Sequence, residues 1–525
     1  MSDKLTVTWG DGFITVSPRV PIGLAERLKY WHRTLERQGY RMVATGQYHE
    51  LYKIEHSVDG TRVIETLTTM PGFLHRIKTF LTTEGLEFDI ADNRTPMPKP
   101  DILKSMEGMR DYQRECTYTA IMSGGGIIAC PTGWGKTHII KSIINAYPRS
   151  ELCARNTPTV VVATPDKEIT RKDFEDLVQM LPDRDVGLVM SGIKKFSDDV
   201  QVITLDSLHL LNTDDVGILI VDEVHAAASE ERSNSILAFK KASKWGVSAT
   251  PDGRFDGRDL VTEGLIGPVV YRRTYAEGIK DGALVPITVY WVRVPEPEIG
   301  LEDYLKYTMR ASRYRWAVDR NDTSNALIAD LVMRIPNEHQ TLCIMQHLDQ
   351  MNKLVPLCPG VRYMHAQQNQ ADLHATNKRE LAAVNAKERK VIYDAMNRGE
   401  IRKIMSTYVY KQGVNFPQLS IVINAGGGGS DIVARQIPGR ESRSIDGKDT
   451  AYLIDFWHDW DTAVSKYVDK RTGRETQRQV AGPVLKDDRS REKCYTELGF
   501  NQVWIDSIDE LPFLKKQQEK PDGKC

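Results

Sequence analysis

The chain has 525 residues, with 70 Lys and Arg against 71 Asp and Glu, a formal net charge of -1. That length is more than one hydrophobic core can use and predicts several domains, while 41% hydrophobic content permits cores of ordinary size. The balanced charge leaves any nucleic-acid partner to local basic patches, the lack of a ~20-residue apolar run argues against a membrane span, and seven scattered cysteines without a CxxC pair or His cluster argue against zinc and a disulfide framework.

Residues 1–95 predict a small α+β module. "LTVTW", "FITVS", "ELYKIEHS" and "TRVIETLTT" alternate as half-exposed strands do, and "GLAERLKYWHRTLERQGY" reads as an amphipathic helix. Arg27, Lys29, Arg33, Arg37 and Arg41 fall near helical spacing, forming either a solvated surface or a basic face for DNA. The Pro-rich "RTPMPKPD" (94–101) closes the module. No secretory leader follows Met1, and a cytoplasmic location is expected, that of a host if the protein is viral.

Two sets of short apolar runs follow. The first, within 96–275, comprises "GGIIAC", "PTVVVATP", "VQVITLDS", "VGILIVDE" and "KWGVSATP"; the second, within 325–465, comprises "QTLCIMQ", "VRYMHA", "RKIMSTY", "LSIVINAG" and "TAYLIDF". Continuous Val, Ile and Leu runs of this length suit strands buried on both faces, as in parallel sheets covered by helices. The fold class expected is therefore α/β, two tandem domains, with 276–324 as a connecting segment and 466–525 as an extension ending in a frayed tail.

"ACPTGWGKTHII" (129–140) is close to a phosphate-binding loop, except that Cys130 replaces the usual first Gly. That position ends a strand beneath the loop and only has to be small. Residues Pro131, Thr132, Gly133, Trp134, Gly135, Lys136 and Thr137 would wrap a triphosphate, with flexible backbone from the two glycines, charge from Lys136 and a Mg²⁺-binding hydroxyl from Thr137. "RDYQ" (110–113) precedes the loop by about twenty residues, a distance suited to Gln113 reading an adenine edge. "ILIVDEVH" (218–225) places Asp222 and Glu223 at a strand end, as metal-binding carboxylate and water-activating base. "GVSATP" (246–251) supplies a further strand end with Ser248 and Thr250. All these signals fall where open parallel sheets bind ligands, beyond the carboxyl ends of strands.

In this order, "RDYQ", "PTGWGKT", "DEVH", "SAT" and "QIPGRESR" (436–443) resemble the motif series of superfamily 2 nucleic-acid helicases and translocases over residues ~108–460. The resemblance implies two RecA-like domains and ATP with Mg²⁺ as cofactors. It also implies Gln436, Arg440 and Arg443 on one face of a second-domain helix, the arginines acting as fingers on the γ-phosphate when the domains close. It further implies strand contacts at Thr164, Pro165 and Lys167, at Gly192, at Thr204 and Ser207, and in the second domain at His365, Thr407 and Gly413. Tyr408 departs from the family's usual Asp. "DEVH", the Gly-Gly-Ser lead into "QIPGR", an Arg-x-Asp after "SAT" and the N-terminal module are similar to XPB-type and UvsW-like helicases. The function expected is an ATP-dependent DNA helicase, monomeric, acting on single-stranded, forked or branched DNA rather than RNA. The alternatives are a motor that translocates along duplex DNA without unwinding it, as in restriction systems, and an RNA-directed helicase.

Overall fold

The computed structural model describes residues 4–38, 41–147, 159–214, 216–252, 254, 256–297, 313–365, 386–407, 416, 418–429, 448–468 and 475–514. The chain forms two compact units, Met1–Thr274 and Tyr275–Cys525.

The first unit opens with β1 (Leu5–Gly10), β2 (Phe13–Ser17), β3 (Lys29–Gln38), β4 (Arg41–Glu50), β5 (Tyr52–Asp59), β6 (Arg62–Thr69) and β7 (Phe88–Asp92). Five of these make one sheet in the order β5-β6-β2-β1-β7, and its alternating inward residues Leu5, Val7, Ile14, Val16 and Leu67 pack on Ile77 and Leu81 of the helix Leu74–Thr83. The helix expected over 23–40 is absent and is corrected here. Only Ala25–Leu28 forms a 3-10 turn, and Lys29–Gln38 and Arg41–Glu50 form a separate two-stranded ribbon, β3 against β4. The basic residues that fall near helical spacing stand at intervals of two and four, which are also even and so compatible with a strand. Tyr30, Trp31 and Thr34 carry β preference, and cross-strand pairs such as Trp31 with Tyr48 outweigh the helix-forming Glu and Arg residues.

The same unit continues with β8 (Gly126–Ala129), β9 (Val160–Thr164), β10 (Val186–Met190), β11 (Ile193–Lys195), β12 (Val200–Thr204), β13 (Ile218–Asp222), β14 (Ser243–Ser248) and β15 (Val269–Arg272). Their order is β11-β10-β12-β9-β13-β14-β8-β15, parallel except for β11. Every residue of β8, β9, β12 and β13 is buried, which is why these runs lack polar alternation. Parallel register brings the carboxyl ends of β8, β9, β12, β13 and β14 to one edge.

The second unit contains β16 (Ile287–Arg293), β17 (Gln340–Met345), β18 (Arg362–Met364), β19 (Lys403–Thr407), β20 (Leu419–Asn424), β21 (Ala451–Trp457), β22 (Thr462–Val468), β23 (Glu475–Ala481) and β24 (Asn501–Ile505). Seven form a parallel sheet, β18-β19-β17-β20-β21-β16-β24. Its last two strands come from the stretches read as a connector and an extension. Their residues complete the core: Val292 and Ile505 pack with Ile454 and Phe456. Local pattern marks a strand but not which sheet it joins.

Candidate active site

The turn after β8 is built for close approach. Gly133 (φ 89°) and Gly135 (φ 100°) take left-handed backbone, and Gly135 caps the helix Lys136–Ala146. The positive φ favours glycine at 135, and a Cβ there would also displace the Gln113 amide. Cys130 is fully buried beneath the turn, its N–H donating to the Ser248 carbonyl at 3.1 Å. A small side chain is what that position needs.

Gln113 does lie against the loop, but it is buried. Its Nε2 donates to the Trp134 carbonyl (3.2 Å) and its Oε1 accepts the Arg110 N–H (3.3 Å). The indole of Trp134 is fully buried between Tyr112 and Tyr271, with ring centroids 5.2 and 6.2 Å away, so its side chain is core and its backbone is what belongs to the loop. Pro131, Thr132, Gly133 and Thr137 are half-buried along the turn and the first helical turn.

Opposite the loop, β13 delivers Asp222 and Glu223. Lys136 Nζ lies 3.6 Å from Glu223 Oε1. Glu223 is the one non-glycine with positive φ (48°) among the described residues, a conformation that costs about 1 kcal/mol or more and re-aims its carboxylate at the end of the strand. His225 Nδ1 lies 3.3 Å from Glu223 Oε2 and 2.9 Å from Ser248 Oγ. Ser248 Oγ also accepts the Thr250 N–H at 3.0 Å, so the ends of β13 and β14 form one hydrogen-bonded group.

Asp222 is buried, and its Oδ1 has no hydrogen-bond partner. Burial, then repulsion from Glu223, pushes its pKa up to about 6, while Lys136 opposes the rise. A carboxylate in this setting suits a cation. Magnesium favours one or two carboxylates with phosphate and water oxygens, a set that Asp222 and the Thr137 hydroxyl fit.

Asp173 is a residue that the motifs did not point to. It sits on the helix Lys167–Met180, is 3% exposed, and its Oδ2 lacks a partner. Burial first, then the neighbouring Asp222, raises its pKa well above the carboxylate range. The available signal was an acid on that helix's apolar stripe, four residues from both Ile169 and Leu177.

The expected strand-contact positions differ in exposure. The Thr164 side chain is fully buried, its hydroxyl bonded to Thr170 Oγ1, and Pro165 is buried too. Only Lys167, at the exposed start of its helix, remains open to a phosphate. Thr204 Oγ1 donates to Ser207 Oγ at 2.8 Å, a pairing that shapes the turn after β12. Gly192 (φ 86°) is exposed between β10 and β11, with open space where a Cβ would stand.

In the second unit His365 is buried just beyond β18, and Thr407 is buried at the end of β19. Tyr408, Gly413, Gln436, Arg440 and Arg443 lie outside the described residues. The glycines before that motif are anchored from behind. Arg491 Nη1 donates to the Gly428 carbonyl (2.8 Å), while Nε and Nη2 grip Asp455 (2.9 Å each) and Nη2 also meets Asp488 (2.9 Å).

The chain matches the family model described as "Type III restriction enzyme, res subunit" over residues 107–253. It matches "Helicase conserved C-terminal domain" over residues 324–445. It is similar to the DNA 3'-5' translocase XPB2 of Sulfurisphaera tokodaii, at 26% identity over 408 residues, 72% of this chain and 87% of that protein. It is also similar to the DNA 3'-5' helicase XPB of Mycobacterium tuberculosis, at 24% over 339 residues, 61% of this chain and 55% of that one. This chain thus spans about half the length of the mycobacterial relative. Among solved structures it is similar to Saccharomyces cerevisiae Dbp5 bound to RNA and ADP BeF3, with TM-score 0.50 and 14% identity over 79% of this chain and 97% of that one. T4 UvsW aligns with TM-score 0.38 and 17% identity, over 96% of this chain and 99% of that one. At such identities a structural likeness speaks to fold alone.

Proposed function

We propose a mechanism from one premise: this chain belongs to the superfamily 2 helicases and translocases. It is an ATP-dependent DNA helicase or translocase. The finer reading is that it acts on single-stranded, forked or branched DNA in recombination, repair or replication, as a cytoplasmic monomer. No helix among the described residues is long and apolar enough to cross a membrane.

The observation that carries the site assignment is the meeting of Lys136, Asp222 and Glu223 at one sheet edge, across a glycine turn that begins a helix. In the proposed cycle the triphosphate lies along residues 131–137, where backbone N–H groups and the helix N-terminus face it. Lys136 moves from Glu223 to the phosphates. Glu223 then orients the attacking water and takes its proton. Asp222 and the Thr137 hydroxyl would hold magnesium, which would supply positive charge to offset the charge developing on the phosphates. Arg440 and Arg443, with Gln436 of the same motif, would complete that charge stabilisation. Gln113 supports the loop through Trp134, and an adenine contact requires its amide to leave that carbonyl. Lys167 and Gly192 in the first unit are the best-exposed strand contacts, and these positions meet phosphate rather than bases.

The test is strand displacement on a forked duplex, with ATP turnover measured on the same DNA. ATP-dependent separation of the fork supports the reading. Turnover indifferent to every DNA form refutes it. A second reading, duplex translocation without separation, draws on the match to the restriction res subunit. Displacement of a triplex strand with no opening of the fork would select it.

A further inference from the structure

Trp31 and Tyr48 sit opposite each other across the β3–β4 ribbon, ring centroids 4.9 Å apart at 74°, and are 44% and 62% exposed. Two large rings in water on a ribbon that joins no other sheet among the described residues gain little for folding. Cations flank them. Lys29 Nζ stands 4.9 Å from the centre of the Tyr48 ring while also pairing with Glu26 at 2.6 Å. The exposed Arg33 lies two residues after Trp31, on the same ribbon face. Residues 29–50 hold four basic side chains (Lys29, Arg33, Arg37, Arg41) against two acidic ones (Glu36, Glu50), in a chain whose charges otherwise balance. The side chains of Arg37 and Arg41 lie outside the described residues.

From the middle of β3, hydrogen bonds lead to the segment that follows β13. Arg33 N–H donates to the Asp256 carbonyl at 3.3 Å, and the Asp256 carboxylate is gripped by Arg254 through two bonds of 2.9 and 2.6 Å. Arg254 Nη1 donates to the His225 carbonyl at 2.6 Å, and His225 in turn bonds Ser248. A continuous hydrogen-bonded path therefore runs from the residue after Trp31-His32 to the strand ends that carry Glu223.

We propose that the β3–β4 ribbon is a single-stranded DNA contact, with unpaired bases stacking on Trp31 and Tyr48 and phosphates met by Lys29 and Arg33, and that Arg254 is a positioning residue linking this contact to the "DEVH" segment. Aromatic faces with adjacent cations are what base stacking on a charged strand requires. The proposal rests on the reading of the chain as an ATP-driven DNA motor and deepens it by naming which form of DNA the N-terminal module holds.

The experiment uses the full chain and fluorescence anisotropy with a labelled oligothymidine and a blunt duplex of equal length. Trp31→Ala combined with Tyr48→Ala should weaken oligothymidine binding by about tenfold or more, leave the duplex within about twofold, and be largely rescued by Trp31→Phe with Tyr48→Phe. Duplex binding also reports that the variants are folded. Equal loss on both DNAs, or none on oligothymidine, overturns the stacking contact. Arg254→Ala should keep oligothymidine affinity within about twofold yet lower the ratio of DNA-stimulated to DNA-free ATP turnover by about fivefold or more. An unchanged ratio overturns the link. If the parent protein itself shows no DNA-stimulated turnover, the motor reading fails instead, a result distinct from parent stimulation that the variants share.

Discussion

Lys136 Nζ is held 3.6 Å from Glu223 Oε1, both side chains largely shielded from solvent. The cation assigned to phosphate is thus paired with the carboxylate assigned to water. On the proposed cycle, a nucleotide that draws Lys136 away would free Glu223 to act as a base, coupling binding and activation through one ion pair.

Glu223→Gln should lower kcat for ATP about 10²- to 10⁴-fold, the usual loss with a general base, while nucleotide affinity is kept or improved, since the competitor for Lys136 loses its charge. Lys136→Ala should instead abolish binding. Titration with a fluorescent ATP analogue beside steady-state turnover separates the two. Parent-like turnover in Glu223→Gln would defeat the assignment.

Asp222 gives a pH signature. Its folded pKa, about 6, is raised above the ordinary carboxylate value of 3.8, chiefly by burial. Its contribution to stability is therefore full below pH 3.8 and is lost as pH rises through about 6. Asp222→Asn removes that loss, so in magnesium-free buffer at pH 8 the variant should be more stable by about 1–3 kcal/mol, and near pH 4 the difference should vanish. Thermal melts across this range check it. Chelating magnesium should stop turnover in the parent, and Asp222→Asn should be inactive with the metal present.

Arg443→Ala and Arg440→Ala test the motif in residues 436–443. At least one should reduce kcat by about 10³-fold or more while sparing ATP binding, as removal of an arginine finger does. Loss of binding without a kcat effect would contradict the proposed role.

Arg491 is 2% exposed and neutralises two carboxylates, Asp455 and Asp488, that are 0% exposed. Arg491→Met should destabilise by about 3–5 kcal/mol, because it strands buried charge. The midpoint of urea unfolding, followed by near-UV signals from Trp291 and Tyr495 beside it, reads this out. Arg491→Lys should recover part of the loss but not the fork that holds Asp455.

The ten apolar runs read as buried strands all form strands, because a run buried on both faces has a signature independent of its neighbours. The ribbon at 29–50 was misread for the complementary reason. A four-residue spacing fits both helix and strand, and only the partner strand decides between them. The buried Thr164 and Trp134 show a related limit: a motif names positions, whereas accessibility depends on packing from distant residues such as Thr170 and Tyr271.

What the sequence by itself determined is the order of chemistry along the chain: a glycine turn before Lys136, acids ending an apolar strand, and two parallel-sheet domains. These follow from local sterics and hydrophobic periodicity, which need no long-range information. Only tertiary structure decided that Asp173 lies beside Asp222, that Arg254 ties His225 to the N-terminal ribbon, and that strands from the connector and extension complete the second sheet. Those facts depend on contacts between residues far apart in the chain, where burial and charge act through space and leave no local pattern to read.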